Sequence, residues 1–218
     1  IAGGVESMSR APFVLPKSES AYSRSNKIYD TSIGWRFINP KLSKMYHPYA
    51  MGETAENIVD KYQITRVEQD EFAHHSQFKY ETAHNSGKFS DEIIPITIPQ
   101  RKSEDIIFNK DEHPRLSSVE VLGNLRAAFK DGGSVTAGNS SGVNDGAAAL
   151  MVVSEEALKR YNLEPIVEII SSAAVGVSPD IMGIGPVNAT LKAVKRAGIS
   201  LQDIDLVELN EAFAAQSI

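Results

Sequence analysis

The chain has 218 residues, 42% of them apolar and 23% charged, which suits one large globular domain or two small ones. A net charge of −6 argues against a general nucleic-acid binder, and no apolar run approaches the roughly 20 residues that span a bilayer. The absence of cysteine excludes disulfides, thiolate metal sites and cysteine nucleophiles from these residues. With no secretory pattern at its start, the chain carries a cytoplasmic location as the default expectation.

In chain order, residues 6–49 read as irregular, punctuated by Pro12, Pro16, Pro40 and Pro48. From Ala55 the pattern becomes helical, with Ala55, Ile58, Val59 and Tyr62 on one face. Thr65 and Glu68 form a T-x-x-E capping box, which predicts a second helix. Its expected buried stripe is Phe72, Ala73, Ser76, Tyr80 and Ala83, and Gly87 suits the residue after its end. "EIIPITIP" (92–99) and "DIIF" (105–108) read as short strands, the first interrupted by Pro95. Ser118 is placed to cap a short helix through Leu125.

At Val135 the character changes. The run "AAALMVV" (147–153) predicts a strand buried on both faces, as in a parallel sheet, and Ser154 caps the helix after it. "IVEIISSAAVGV" (166–177) predicts another strand, and "MGIGP" a turn that leads into a helix with Pro186 at its first position. Leu191, Val194 and Ala197 share that helix's inner face, Gly198 ends it, and "DLVEL" (205–209) predicts a last strand. Alternating strands and helices argue for an α/β fold with a buried sheet. The opening Ile1-Ala2-Gly3-Gly4-Val5, without Met, and an end inside a starting helix point to a piece of a longer enzyme. The alternative is a trimmed chain with native ends.

The histidines His47, His74, His75, His84 and His113 lack metal-ligand spacing and read as surface or cap residues. "MGIGP" has too few glycines for a dinucleotide or phosphate loop, and Glu155 and Glu156 read as first-turn residues. Two stretches ask for more. In "TAGNSSGVNDGAAA" (136–149) small residues let a thin ligand arm lie on the backbone. "NEAFA" (210–214) sets an amide, an acid and an aromatic at a strand's C-terminal end, where open α/β sheets bind ligands.

Together these stretches resemble the thiolase family. The resemblance runs along essentially the whole chain through "AGGVESMS" (2–9), "MGETAEN" (51–57), "EQDEFA" (68–73), "DEIIP" (91–95), "TAGNSSGVNDGAAA", "VGVSPDIMGIGP" (175–186) and "ELNEAFAAQ" (208–216). It implies a layered αβαβα thiolase fold, incomplete here, with an inserted mixed α+β loop domain that binds coenzyme A (CoA). On that template residues 1–5 end a strand of the N-terminal domain, and 6–134 form the loop domain. Residues 135–159 return to the N-terminal domain, and 160–218 open the C-terminal domain.

The resemblance also implies an acyltransferase that cleaves 3-ketoacyl-CoA with CoA, or runs the reverse Claisen condensation, through an acyl-cysteine. CoA is then a substrate, with no permanent cofactor, no metal, no nucleic acid or membrane partner, and a homodimer or homotetramer at full length. Arg115 resembles the arginine that meets the CoA nucleotide, and Ser141, beside Ala137, the serine on the pantetheine. Phe129, Leu42 and Met51 match the CoA channel, and Met182, Ala212 and Phe213 the acyl pocket. Asn210 matches the amide that holds the water of an oxyanion hole. The family's nucleophilic cysteine, its G-H-P histidine and its second cysteine have no counterpart here. Ser140, Ser141 and Ser217 lack a base and do not replace them, so the chain alone is expected to be inactive. Ala50 and "PDIMGIGP" lean toward the degradative 3-ketoacyl-CoA enzymes of β-oxidation, with acetoacetyl-CoA also open. The rival readings are a non-catalytic CoA-thioester or lipid-carrier module, and a structural piece that binds nothing.

Overall fold

A computed structural model describes residues 1–218. Strand β1 (Ala2–Glu6) is followed by the two-residue strands β2 (Phe13–Val14) and β3 (Tyr29–Asp30), which pair with each other. Then come helices α1 (Pro40–Met45), α2 (Met51–Tyr62) and α3 (Arg66–Asn85). Strands β4 (Ile96–Ile98) and β5 (Ile106–Phe108) precede α4 (Val119–Gly123) and β6 (Gly146–Leu150). Helices α5 (Glu155–Tyr161), α6 (Gly185–Ala197) and α7 (Ala214–Ser217) complete the order.

The chain divides into two compact units. One comprises Ile1–Ile58 with Val143–Asn210, the other Val59–Gly142 with Glu211–Ile218. The segment expected as a loop domain, 6–134, is shared between them.

In the first unit β1 pairs antiparallel with β6, from Ala2 opposite Leu150 to Glu6 opposite Gly146. The ribbon is tied at one end by Asp145, whose carboxylate accepts from the Ser9 amide at 2.8 Å and from its hydroxyl at 2.6 Å. Those bonds, the hydroxyl's first, hold the Asp145 carboxyl below its ordinary range. Helix α1 starts on Asn39, whose side-chain oxygen accepts from the amides of Lys41 and Leu42. Trp35 donates its indole N–H to the Tyr49 carbonyl at 2.7 Å, which fixes the irregular stretch before α2.

Here three strand expectations are corrected. β6 is neither parallel nor buried: all five of its residues are exposed. Residues 166–177 and 205–209 form no strand. A strand exists only where a neighbour exchanges backbone hydrogen bonds with it, and no segment of this chain lies beside either one in a ladder. In place of a ladder, α6 pins the first of them with side chains. Lys192 Nζ donates to the Ala174 carbonyl at 3.0 Å and Arg196 Nη1 to that of Ser172 at 2.8 Å. In return, Ser171 donates its hydroxyl to the Ala193 carbonyl at 2.7 Å. The apolar run itself is bare, with Ile166 98% and Ile169 72% exposed.

The turn "MGIGP" is a short 3-10 helix, Pro179–Ile184, that runs directly into α6, so Pro186 sits second rather than first in that helix. Gly198 closes α6 in the left-handed region, at φ 71°. Ser154 caps α5 through the Ala157 amide, as its sequence context predicts.

In the second unit α3 dominates. Its start is the expected capping box: Thr65 Oγ1 accepts from the Glu68 amide at 3.2 Å, and Glu68 accepts from the Thr65 amide at 2.7 Å. Its end passes through Ser86 to Gly87 at φ 75°. Of the expected stripe Ala73 is buried, but the residues most fully buried are Gln69 and Asp70. Phe72, Ser76 and Tyr80 instead line a cavity. Ser118 caps α4 through the Val121 amide, and the helix ends at Gly123, two residues short of Leu125. β4 and β5 pair antiparallel, with Pro95 just outside the ladder it has no N–H to join. The core of this unit includes Ala73, Leu122, Val135, Ala214 and Ala215.

Candidate functional site

The turn Thr136–Ser141 is built from small residues around two buried polar side chains. Thr136 is fully buried and Asn139 is 3% exposed. Asn139 Oδ1 accepts from the Thr136 amide at 2.7 Å, and Thr136 Oγ1 accepts from the Gly138 amide at 3.1 Å. Ser140 Oγ donates to the Thr136 carbonyl at 2.6 Å. The turn therefore holds itself with its own side chains, the behaviour expected of Asn, Ser and Thr outside regular structure. At Gly138 a Cβ would lie 2.6 Å from Leu125 Cδ1 and 2.7 Å from Leu122 Cδ2, so those two side-chain ends would have to shift.

Residues 211–214 are stitched to this turn. The Ser141 amide donates to the Ala212 carbonyl, and the Ala214 amide to the Asn139 carbonyl, both at 2.9 Å. Ser140 and Phe213 form an isolated antiparallel bridge. The Phe213 ring meets that of Phe129 edge-on, 5.9 Å between centroids and 86° between planes.

Beside the stitched pair lies a cavity of about 240 Å³, walled on one side by α3 and on the other by the turn. Its polar lining includes Ser76, Gln77, Tyr80, His113, Ser141 and Glu211. Ser76 Oγ donates to Glu211 Oε2 at 2.5 Å, and Gln77 Oε1 accepts from the Arg115 amide at 2.9 Å. Burial raises the Tyr80 phenol above its ordinary pKa, helped by the nearby Asp111 carboxylate. The lining offers hydroxyls, amides, the His113 imidazole and one carboxylate, groups that hydrogen-bond a polar ligand. None of its serines is bonded to a histidine that would activate it as a nucleophile.

The residues expected from sequence are divided between the two units. Ser141, Ala137, Phe129, Arg115, Ala212 and Phe213 belong to the second, and the structure brings Ser141, Ala212, Phe213 and Phe129 together. Arg115 and Ala137 do not line the cavity, although the Arg115 amide donates to Gln77, which does. Leu42, Met51, Met182 and Asn210 belong to the first unit, and all four are exposed. Sequence reading missed Ser76, Gln77, Asp70 and Asn139. For Asp70 a clue was present: Arg66 stands four residues before it, at helical ion-pair spacing.

An α/β chain with a small-residue turn bonded to an N-E-A-F-A segment defines a class, and the comparisons identify it. The family model for the thiolase N-terminal domain matches residues 1–156, and that for the thiolase C-terminal domain matches residues 163–218. The chain belongs to the thiolase family. It is 52% identical over 219 residues to a beta-ketoadipyl-CoA thiolase of Acinetobacter baylyi, covering 100% of this chain and 55% of that protein. Among solved structures it resembles the acetyl-CoA acetyltransferase from Syntrophomonas wolfei, with TM-score 0.86, 39% identity, and coverage of 99% of this chain and 53% of that one. It also resembles human mitochondrial 3-ketoacyl-CoA thiolase, with TM-score 0.81, 39% identity and coverage of 99% and 53%. The fold is thus the α/β thiolase fold, and the chain spans about half the length of the relatives it matches.

Proposed function

We propose that this chain is the CoA-thioester-binding part of an acyltransferase that cleaves a 3-ketoacyl-CoA with CoA, giving an acyl-CoA and acetyl-CoA. The observation that carries the reading is the Thr136–Ser141 turn bonded to Ala212–Ala214 beside a polar cavity. Such a site can take a narrow amide-bearing arm through backbone and hydroxyl groups.

In this reading Ser141 and Ala137 meet the pantetheine, and Arg115 meets the nucleotide phosphates. Leu42, Met51 and Phe129 line the CoA channel, and Met182, Ala212 and Phe213 the acyl pocket. Asn210 holds a water that donates to the thioester carbonyl as it gains negative charge. CoA is a substrate rather than a resident cofactor. The thiolate that accepts the acyl group comes from outside these residues, because the chain has no cysteine. The division into 1–5, 6–134, 135–159 and 160–218 is the arrangement proposed within the complete fold. A cytoplasmic homodimer or homotetramer acting in acyl-chain degradation is the proposed setting.

Calorimetry of the 218-residue chain with CoA tests the binding half. Wild type is expected to bind and Arg115→Ala to bind at least several-fold more weakly; an Arg115→Ala titration that overlays wild type removes Arg115 from the site. A turnover assay with acetoacetyl-CoA and CoA tests the rest. No turnover is expected from this chain, and turnover by it would sink the assignment of the nucleophile to residues elsewhere. CoA binding in a longer reading frame without cysteine would favour a non-catalytic thioester carrier.

A further inference from the structure

The cavity wall rests on a buried ionic chain that the thioester reading does not use. Asp70, 1% exposed, and Asn139, 3% exposed, meet through Asn139 Nδ2 and Asp70 Oδ1 at 2.9 Å. Asn139 Nδ2 also donates to the Ser134 carbonyl at 3.1 Å, while its Oδ1 accepts from Thr136 and its own carbonyl from Ala214. Behind it, Asp70 Oδ2 accepts from Arg66 Nε at 2.7 Å. Arg66 Nη2 in turn donates to the carbonyls of Leu122 at 2.6 Å and Leu125 at 3.0 Å, at the end of α4. One chain of contacts therefore joins the α4 end, the first turn of α3, the Thr136–Ser141 turn and the start of α7.

Burying a carboxylate is costly even when it is paired, and apolar contacts would hold α3 against the turn at less expense. What the polar chain adds is direction. An amide that donates twice and accepts once fits a single orientation, so it fixes the turn in register as well as in place. The two backbone bonds that carry Ser141 and Phe213 lie within two residues of Asn139.

We propose that Asp70 and Asn139 are positioning residues. Their contact sets the backbone of Gly138–Ser141 against Ala212–Ala214 and so aims Ser141 and Phe213 at the bound thioester. The ligand half of this statement rests on the function proposed above.

A swap separates orientation from packing. Asn139→Asp sets two carboxylates face to face and removes both donors. The double variant Asp70→Asn/Asn139→Asp exchanges the two side chains. The amide nitrogen introduced at position 70 then donates to the carboxylate introduced at position 139. The amide oxygen at position 70 accepts from Arg66, although the ion pair becomes a charge–neutral hydrogen bond, and the Ser134 carbonyl faces an acceptor in place of its donor. The measurements are amide hydrogen exchange at Ser141 and Ala214, and CoA affinity by calorimetry, on the whole chain. Asn139→Asp is expected to speed both amides and weaken CoA binding by roughly ten-fold, with most of each change recovered in the swap. If the two amides speed up no more than those of α6, or if the swap is no better than the single variant, the positioning role is overturned. Asp70→Asn reads the same two amides where Asn139→Asp fails to fold. A wild-type chain that does not bind CoA defeats the ligand reading, and the exchange pattern then decides the contact by itself.

Discussion

Ser76 and Glu211 stand 135 residues apart in sequence, yet the Ser76 hydroxyl lies 2.5 Å from Glu211 Oε2. The contact closes one side of the cavity by joining α3 to the segment that enters α7. In a double-mutant cycle with Ser76→Ala and Glu211→Gln, urea unfolding is expected to show a coupling of about 1 kcal/mol, the ordinary worth of a part-exposed hydrogen bond to a charge. Coupling near zero would mean that the contact does not hold the wall.

A side chain at Gly138 would displace the ends of Leu122 and Leu125. Gly138→Ala is expected to destabilise the second unit by about 1–3 kcal/mol, because its Cβ meets the ends of Leu122 and Leu125 and Leu122 is buried. Adding Leu125→Ala removes one of the two clashes. The double variant should therefore be more stable than the sum of the two single losses predicts, by thermal or urea unfolding.

The α3 capping box predicts a pH dependence. The Thr65 amide, and after it the Thr65 hydroxyl, holds the Glu68 carboxyl below its ordinary pKa. A group whose pKa is lower in the folded state stabilises the fold fully above its unfolded pKa. That stabilisation is lost as pH falls through the folded pKa. Thr65→Ala should therefore be less stable than wild type near neutral pH, the loss of the cap itself being about 1 kcal/mol. The gap should narrow on acidification below the ordinary carboxylate range. Urea titrations of both proteins across that range check it, and a constant gap would remove Glu68 from the account.

The bare segment 166–170 predicts self-association of this chain. Ile166 is 98% and Val167 79% exposed, with Ile169 and Ile170 close behind. Ile169→Lys is expected to lower light scattering at high protein concentration while moving the unfolding free energy by no more than about 0.5 kcal/mol. Scattering equal to wild type would place the sticky surface elsewhere.

In a protein carrying this chain at the full length of its relatives, Asn210→Ala should lower kcat by roughly a hundred-fold. The KM for CoA should change little, since in the proposed reading the amide acts on the developing oxyanion. A matched rise in KM with kcat unchanged would make Asn210 a ground-state binding residue.

Local chemistry was legible in the residues alone. The Thr65–Glu68 box, the Ser118 and Ser154 caps, and the glycines after α3 and α6 all act within a turn of their own positions, and each stands where the sequence sets it. The seven sequence blocks were likewise enough to identify the family, because they recur in order along the whole chain. Strands were less legible. "AAALMVV" and "IVEII" have the composition of buried strands, but a ladder and its burial depend on a neighbouring segment, which composition does not describe.

What the sequence determined by itself, then, was the helices from α2 onward with the Thr65, Ser118 and Ser154 caps, the thiolase family, and the small-residue turn near Ser141, while α1 and its Asn39 cap lie in a stretch read as irregular. Tertiary structure decided which distant residues meet. Asp70 lies against Asn139 and Ser76 against Glu211 because α3 crosses behind the turn, a relation between segments up to 135 residues apart. Polar partners at that separation leave no periodicity in the sequence. Their identity is fixed only when folding removes them from water and each buried donor must find its acceptor.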